Sequence, residues 1–159
     1  MFGRQIETSI EIAAPPSKVW ELLTAEADCL GTKSWNPFLV GFEGQLEEGS
    51  HIAVTIQVPG GRKPQTFKPK LLAVKPGEEL RWRGSLPIPG LFVGEHYYRV
   101  EPAPSSSSGG GSGQGSTRFV HGEHFSGLLV PLVGGMLADT EKGFVAMNEA
   151  LKKAAEQGS

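Results

Sequence analysis

The stretch that decides the fold is Thr117–Gln157, TRFVHGEHFSGLLVPLVGGMLADTEKGFVAMNEALKKAAEQ. Residues 117–127 have the composition and alternation of a strand. From Pro131 onward, apolar residues recur three or four positions apart, which predicts a long amphipathic helix that ends near Gln157. Its apolar face is expected to carry Val133, Met136, Leu137, Thr140, Phe144, Met147 and Leu151. A long C-terminal helix laid across a curved antiparallel sheet encloses a cavity, so this pattern favours a container for an apolar ligand.

The residues before this stretch alternate between apolar and polar positions, as half-buried strands do. The alternation predicts strands over 5–12, 35–43, 51–58, 67–74, 79–85 and 91–101, with Phe67 and Leu71 both facing inward. One short helix is expected after the break at Pro15 and Pro16. Short turns between the strands indicate an antiparallel meander. The predicted fold class is therefore α+β, with a curved sheet of about seven strands wrapped around the C-terminal helix.

The length and composition are typical of one globular domain covering residues 1–159. The chain has 159 residues, of which 38% are hydrophobic and 20% charged. Residues 103–116 form a low-complexity segment rich in serine and glycine. Such a segment cannot bury apolar surface, so it is expected to be a flexible loop between two strands.

Several classes of function are disfavoured by the sequence. The net charge of −2 and the lack of a basic stripe argue against nucleic-acid binding. The single cysteine, Cys29, leaves no internal disulfide and no multi-cysteine metal site, and no cofactor-binding motif is found. Residues 1–11 do not resemble a secretory signal, and the most apolar stretch, 125–138, is shorter than the ~20 residues of a membrane helix. We therefore expect a cytoplasmic protein without cofactor or integral membrane segment, of open oligomeric state.

A cluster of polar residues follows from pairing the strands on either side of the serine–glycine segment. If Pro102 faces Thr117, antiparallel register places His96 opposite Glu123 and Tyr98 opposite His121. All four side chains then point toward the cavity.

Such a cluster has three interpretations. It can be an internal hydrogen-bond network that satisfies its own members. It can orient a hydroxyl or carbonyl group of an apolar ligand. It can also act in acid–base catalysis, with His96, Glu123 and Tyr98 as the catalytic residues. A metal site is not expected, because the cysteine pair that accompanies a His-x-Glu zinc motif is missing.

The order of elements resembles the polyketide cyclase/START-like superfamily (SRPBCC), which has the Bet v 1-like helix-grip fold. The motifs that carry this resemblance are Ile10–Pro16 with Val19-Trp20, Trp35-Asn36-Pro37-Phe38, Glu79–Trp82, Phe92–His96 and Glu123–Leu129. The resemblance implies binding of lipids, polyketides or similar molecules, and in a minority of members cyclisation or dehydration. The motifs are specific to the fold and not to a reaction.

The function predicted from the sequence is binding of a small hydrophobic or amphipathic molecule in an internal cavity. One alternative is a polyketide cyclase/dehydratase-type enzyme, and another is an accessory protein that binds a partner's surface. A collapsed cavity together with an exposed apolar patch would favour the accessory protein. The predicted ligand-binding residues are Phe38, Trp82, Phe92, His96, Tyr98, Phe119, His121, Glu123, Met136, Thr140, Phe144 and Met147.

Overall fold

The computed structural model describes residues 3–60, 63–103 and 115–157. These residues form eight strands, two α-helices and two short 3₁₀ segments over 26–31 and 130–132. The strands are β1 (Gly3–Ile12), β2 (Leu39–Glu43), β3 (Ala53–Ile56), β4 (Gln65–Phe67), β5 (Lys70–Lys75), β6 (Glu79–Ser85), β7 (Val93–Pro102) and β8 (Thr117–Ser126); the helices are α1 (Pro16–Thr24) and α2 (Gly134–Gln157).

The strands form two antiparallel sheets that meet at one point. The larger sheet has the order β1-β8-β7-β6-β5, and the smaller has the order β2-β3-β4. They meet at a bridge between His51 and Lys70, beside which the Ile52 amide donates to the Pro69 carbonyl at 3.0 Å. The predicted α+β fold, an antiparallel sheet with a long C-terminal helix, is confirmed.

The strand count differs from the predicted seven because the segment 67–74 is divided. β4 ends at Phe67 and β5 begins at Lys70, and the two strands belong to different sheets. Pro69 lies between them and has no N–H to donate to a continuous ladder. As a result Leu71 is buried as predicted, whereas Phe67 is 46% exposed, so the inward position expected for Phe67 is wrong.

The C-terminal helix begins later than predicted. Pro131 lies in the 3₁₀ turn of residues 130–132, and α2 starts at Gly134. Leu137, Phe144, Met147 and Leu151 are buried as the periodicity predicts. Met136 is 37% exposed, so its predicted position against the sheet is wrong.

The pairing of β7 with β8 follows the predicted register along its whole length. Pro102 faces Thr117, His96 faces Glu123 and Tyr98 faces His121. Beyond the last strand pair, the Ala103 amide donates to the Ser116 carbonyl at 2.9 Å. Most of the predicted serine–glycine loop, residues 104–114, lies outside the described residues.

Among the described residues, no helix is both long enough and apolar enough to span a bilayer.

Candidate functional site

A chain of five hydrogen-bonded side chains runs through the space between α2 and the larger sheet. Glu123 Oε1 lies 3.2 Å from His96 Nδ1, and His96 Nε2 lies 2.8 Å from His121 Nε2. His121 Nδ1 lies 3.0 Å from Asn148 Oδ1, and Asn148 Nδ2 donates to Thr8 Oγ1 at 2.8 Å. The chain thus links a partly exposed carboxyl group to two buried imidazoles and a buried amide.

These residues come from four elements of the fold, three strands and α2. His96 and Glu123 face each other across β7 and β8, while Thr8 faces His121 across β1 and β8. Directly opposed side chains on one face of an antiparallel pair lie close enough to bond. Asn148 comes from the buried face of α2 and completes the chain from above the sheet.

The hydrogen positions along the chain follow from its fixed end. Thr8 Oγ1 donates its one hydrogen to the His121 carbonyl at 2.9 Å, so it accepts from the Asn148 amide nitrogen. Asn148 Oδ1 therefore accepts from His121 Nδ1–H, which leaves His121 Nε2 as an acceptor. His96 must then donate through Nε2.

One proton consequently lies between His96 and Glu123. With His96 Nε2 already donating, a bond between Nδ1 and the Glu123 carboxyl needs a hydrogen on one of the two. The pair is either an imidazolium with a carboxylate or a neutral imidazole with a carboxylic acid. Both forms have the same net charge, so the proton can move within the pair without charging the interior.

Burial keeps His121 neutral. The pKa of His121 is held well below its ordinary value of 6.5, first by loss of solvation and then by the neighbouring His96. A hydrogen bond to Asn148 opposes this shift without cancelling it. His121 Nε2 therefore accepts the hydrogen bond from His96 Nε2. The proton that can move is confined to the bond between His96 Nδ1 and the Glu123 carboxyl group.

Tyr98 stands beside this chain but outside it. Among the described residues, its hydroxyl is a fully buried side-chain polar atom without a hydrogen-bond partner. Burial, and secondly the charge of Glu123, raise the pKa of Tyr98 well above its ordinary value of 10.0, so the hydroxyl keeps its hydrogen. The Tyr98 hydroxyl is thus an unsatisfied donor among the described side chains. A buried hydroxyl without a partner lowers the free energy of unfolding by about 1–3 kcal/mol.

Aromatic rings enclose the two imidazoles. Trp82 stacks on His96 with 5.1 Å between ring centroids, and Phe144 of α2 stacks on His121 at 3.9 Å. Phe38 meets Phe144 edge-on at 5.5 Å. With these rings against them, His96 and His121 are 3% and 0% exposed.

The Trp-Asn-Pro-Phe motif positions Phe38. Asn36 Oδ1 accepts from the backbone amides of Phe38 and Leu39, each at 2.9 Å, and its Nδ2 donates to the Leu30 carbonyl at 2.8 Å. On α2, Gly143 leaves room for the ring, because a Cβ there would lie 2.4 Å from Phe38 Cδ1. The buried amide and the helical glycine together fix the depth at which Phe38 enters the core.

The twelve predicted ligand-binding residues divide into two groups by exposure. Eight are at most 5% exposed and pack against the protein's own atoms, so at these positions the interior is filled. These eight are Phe38, Trp82, His96, Tyr98, Phe119, His121, Phe144 and Met147. Phe92, Glu123, Met136 and Thr140 are partly or fully accessible.

Two members of the hydrogen-bonded chain had no predicted role. Asn148 lies four residues after Phe144 and three before Leu151, on the apolar stripe of α2. A polar residue at such a core position is the sequence signal that would have indicated it. Thr8 lies on β1, and nothing in the sequence pairs it with Asn148.

The described side chains of this region do not form a metal-binding site. Over the described ranges, no set of three His, Cys, Asp or Glu side chains is arranged to hold one. The Nε2 atoms of His96 and His121 are joined to each other by a hydrogen bond, so neither is free to bind a metal ion.

Comparison with known families gives a match over nearly the whole chain. The model of the family described as "Polyketide cyclase / dehydrase and lipid transport" matches residues 4–156. The chain belongs to this family. Among curated proteins, none matches the sequence.

Solved structures with the same architecture come from bacteria and plants. The Zhui aromatase/cyclase from Streptomyces sp. R1128 is 19% identical with a TM-score of 0.68, over 98% of this chain and 95% of that one. The ginseng major latex-like protein 151 from Panax ginseng is 9% identical with a TM-score of 0.70, over 98% and 99%. Protein MLL2253 from Mesorhizobium loti is 18% identical with a TM-score of 0.67, over 98% and 99%. At these identities the similarity establishes the shared helix-grip fold.

Proposed function

We propose that this protein binds a small hydrophobic or amphipathic molecule between α2 and the five-stranded sheet. The observation that carries the proposal is the buried, unpaired hydroxyl of Tyr98. Folding does not favour such a group unless something compensates for its desolvation. A ligand with a hydrogen-bond acceptor would supply the missing partner.

The surroundings of Tyr98 define the class of ligand. The rings of Trp82 and Phe119 lie 5.4 and 5.9 Å from the Tyr98 ring, and His121 lies at 4.6 Å. An apolar or aromatic body fits these walls, and one carbonyl, ether or hydroxyl oxygen fits the Tyr98 donor. Membership of a family described by polyketide and lipid chemistry supports the same class.

Binding requires side chains to move, because the interior is filled at Tyr98. The accessible residues Phe92, Glu123 and Thr140 mark the end from which a ligand would enter. Met147 and Phe144, both from α2, are the fully buried side chains that a ligand would displace. An unbranched methionine can adopt new rotamers at low cost, so Met147 suits an adaptable site.

The experiment compares two ligands that differ by one oxygen. Naphthalene and 2-naphthol are titrated by calorimetry against the wild type, Tyr98→Phe and Tyr97→Phe. Tyr97 is the matched control, since its hydroxyl is already bonded to Glu7 and Gln5 on the other face of the sheet. We expect 2-naphthol to bind about fivefold more tightly than naphthalene to the wild type and to Tyr97→Phe. In Tyr98→Phe the advantage should disappear. Equal affinities for both ligands in the wild type, or no binding of either, would refute the proposal.

A second candidate is an enzyme of the cyclase/dehydratase type. The observation that favours it is the proton held between His96 and Glu123, which one acid–base pair could deliver and retrieve during an aldol cyclisation or dehydration. Tyr98 would then hold the substrate oxygen. In this case His96→Ala and Glu123→Gln should abolish turnover while leaving ligand affinity within about threefold. Parallel loss of both would assign these residues to binding alone.

A third candidate is an accessory protein that binds a partner's surface. The observations that favour it are the filled interior and the exposed aliphatic residues on the loops 86–92 and 127–133. Self-association of the protein through these loops would support this candidate over the other two.

A further inference from the structure

Two loops at one end of the larger sheet are joined into a single apolar surface, here named the lip. The lip consists of residues 86–92, which connect β6 to β7, and residues 127–133, which connect β8 to α2. The Leu128 amide donates to the Gly90 carbonyl and the Leu129 amide to the Leu91 carbonyl, each at 3.0 Å. These bonds hold the two loops side by side.

The side chains of the lip that face solvent are large and aliphatic. Leu86 is 41% exposed, Ile88 and Leu128 are each 62% exposed, and Leu132 is 78% exposed. Single exposed apolar residues are ordinary, but four on two hydrogen-bonded loops concentrate aliphatic surface at one end of the sheet. Water contact is unfavourable for this surface, so a partner that covers it is expected.

Basic side chains lie at the same end of the larger sheet as the lip. The Arg4 guanidinium lies beside Gly134, two residues after Leu132, at 3.9 Å from the position of a Cβ on that glycine. On the neighbouring strands, Arg83 faces Lys70 at the same end of the sheet, three residues before Leu86. These three side chains are exposed. An apolar surface with cations at its edge is complementary to a bilayer with anionic headgroups, where each basic group near the surface adds attraction.

We propose that the lip docks on anionic lipid bilayers, inserting its aliphatic residues among the headgroups while Arg4, Lys70 and Arg83 contact the anionic surface. A protein partner fits less well. Interfaces between proteins are anchored by Trp, Tyr and Arg seated in pockets, whereas the lip presents aliphatic side chains on projecting loops. Insertion at a bilayer uses this composition directly.

The lip is continuous with the interior. Phe92 ends its first loop and packs on Phe125 of β8, with 5.7 Å between the rings. A bilayer held at the lip would place its acyl region beside Phe92 and Glu123, the accessible residues of the proposed ligand site. Docking itself does not depend on that site being used.

The test is sedimentation of the ligand-free protein with vesicles of phosphatidylcholine alone and of phosphatidylcholine mixed with phosphatidylserine. We expect binding to the mixed vesicles, weakened by added salt, and little binding to phosphatidylcholine alone. The variant Leu128→Asp/Leu132→Asp should bind at least about tenfold more weakly, since both side chains leave the headgroup region. Its substitutions lie at exposed positions, so circular dichroism should show an unchanged fold.

The matched control is Val145→Asp. Val145 is 42% exposed and lies about 16 Å along α2 from Gly134, the first residue of that helix. This variant should bind like the wild type. The variant Arg83→Gln should lose about fivefold on mixed vesicles.

Three results would overturn the proposal. The first is a wild type that stays in the supernatant with both vesicle types. The second is a Val145→Asp variant that loses as much binding as the lip variant. The third is a self-associated wild type in analytical ultracentrifugation that Leu128→Asp/Leu132→Asp converts to a monomer, because the lip is then a protein interface. Failure of the 2-naphthol titration would leave the vesicle result unaffected, so the two proposals fail separately.

Discussion

Replacing Tyr98 with phenylalanine should make the ligand-free protein more stable. The hydroxyl is fully buried and lacks a partner among the described residues, and such a group costs about 1–3 kcal/mol. Tyr98→Phe keeps the ring and its contacts with Trp82 and Phe119 while removing the unsatisfied group. We expect the free energy of unfolding to rise by about 1–2 kcal/mol, after allowing for the small space left by the oxygen.

Urea unfolding and thermal melting measure this change. For a chain of this size the melting temperature should increase by roughly 2–6 °C. The control is Tyr97→Phe, where the hydroxyl donates to Glu7 at 2.6 Å and accepts from Gln5 at 2.7 Å. Loss of these bonds should lower the free energy of unfolding by about 1 kcal/mol. A Tyr98→Phe variant that is less stable than the wild type would refute the reasoning, since the hydroxyl would then have a partner in the free protein.

Three substitutions and a change of pH test the packing and the polar chain. Asn148→Leu should lower the free energy of unfolding by about 1–3 kcal/mol in urea, because it leaves His121 Nδ1–H without an acceptor; an unchanged midpoint would contradict the chain. Gly143→Ala should lower the free energy of unfolding by about 1–3 kcal/mol, because its Cβ would lie 2.4 Å from the Phe38 ring. Gly135→Ala should raise it by up to about 1 kcal/mol, because a Cβ there meets nothing within 4 Å. Changes of melting temperature with the same sign in both variants would contradict this. Burial holds the pKa of His121 well below 6.5, so on acidification the unfolded chain binds a proton at this residue before the folded chain does. The contribution of His121 to the free energy of unfolding is therefore complete above pH 6.5 and should fall as the pH drops below that value. Urea unfolding with a free energy that does not change over this range would contradict the assignment.

The sequence was sufficient for the site's strand register because β7 and β8 alternate cleanly. A side-chain period of two, with the register anchored at Pro102 and Thr117, determines which residues share a face. His96, Glu123, Tyr98 and His121 follow from that rule, and the structure confirms their opposition. Local periodicity was thus enough to bring four polar residues together.

Local periodicity was not enough for the rest of the site. The contact between Asn148 and Thr8 joins residues 140 positions apart, and it depends on how α2 lies over the sheet. Met136 fits the helical period but lies at the edge of the buried stripe of α2. A small rotation of the helix about its axis is enough to expose a side chain at that edge. Phe144 fills the interior because α2 lies close to the sheet. That distance depends on the contact between Gly143 and the Phe38 ring. Such distances are tertiary properties that no local pattern encodes.

The division of the fourth predicted strand has a simpler cause. Pro69 lacks the N–H that a continuous ladder would need, so a strand cannot run unbroken through it. The proline was visible in the sequence, and the rule that proline interrupts strands would have separated β4 from β5.

The central claim is that the space between α2 and the sheet holds a small apolar molecule. Native mass spectrometry of the protein purified from its own host without detergent, followed by extraction of any small molecule, tests it most directly. The account predicts a stoichiometric guest with an apolar body and at least one oxygen, lost or weakened in Tyr98→Phe. A protein that carries no guest, and that gives the same heat with 2-naphthol as with buffer, would contradict it.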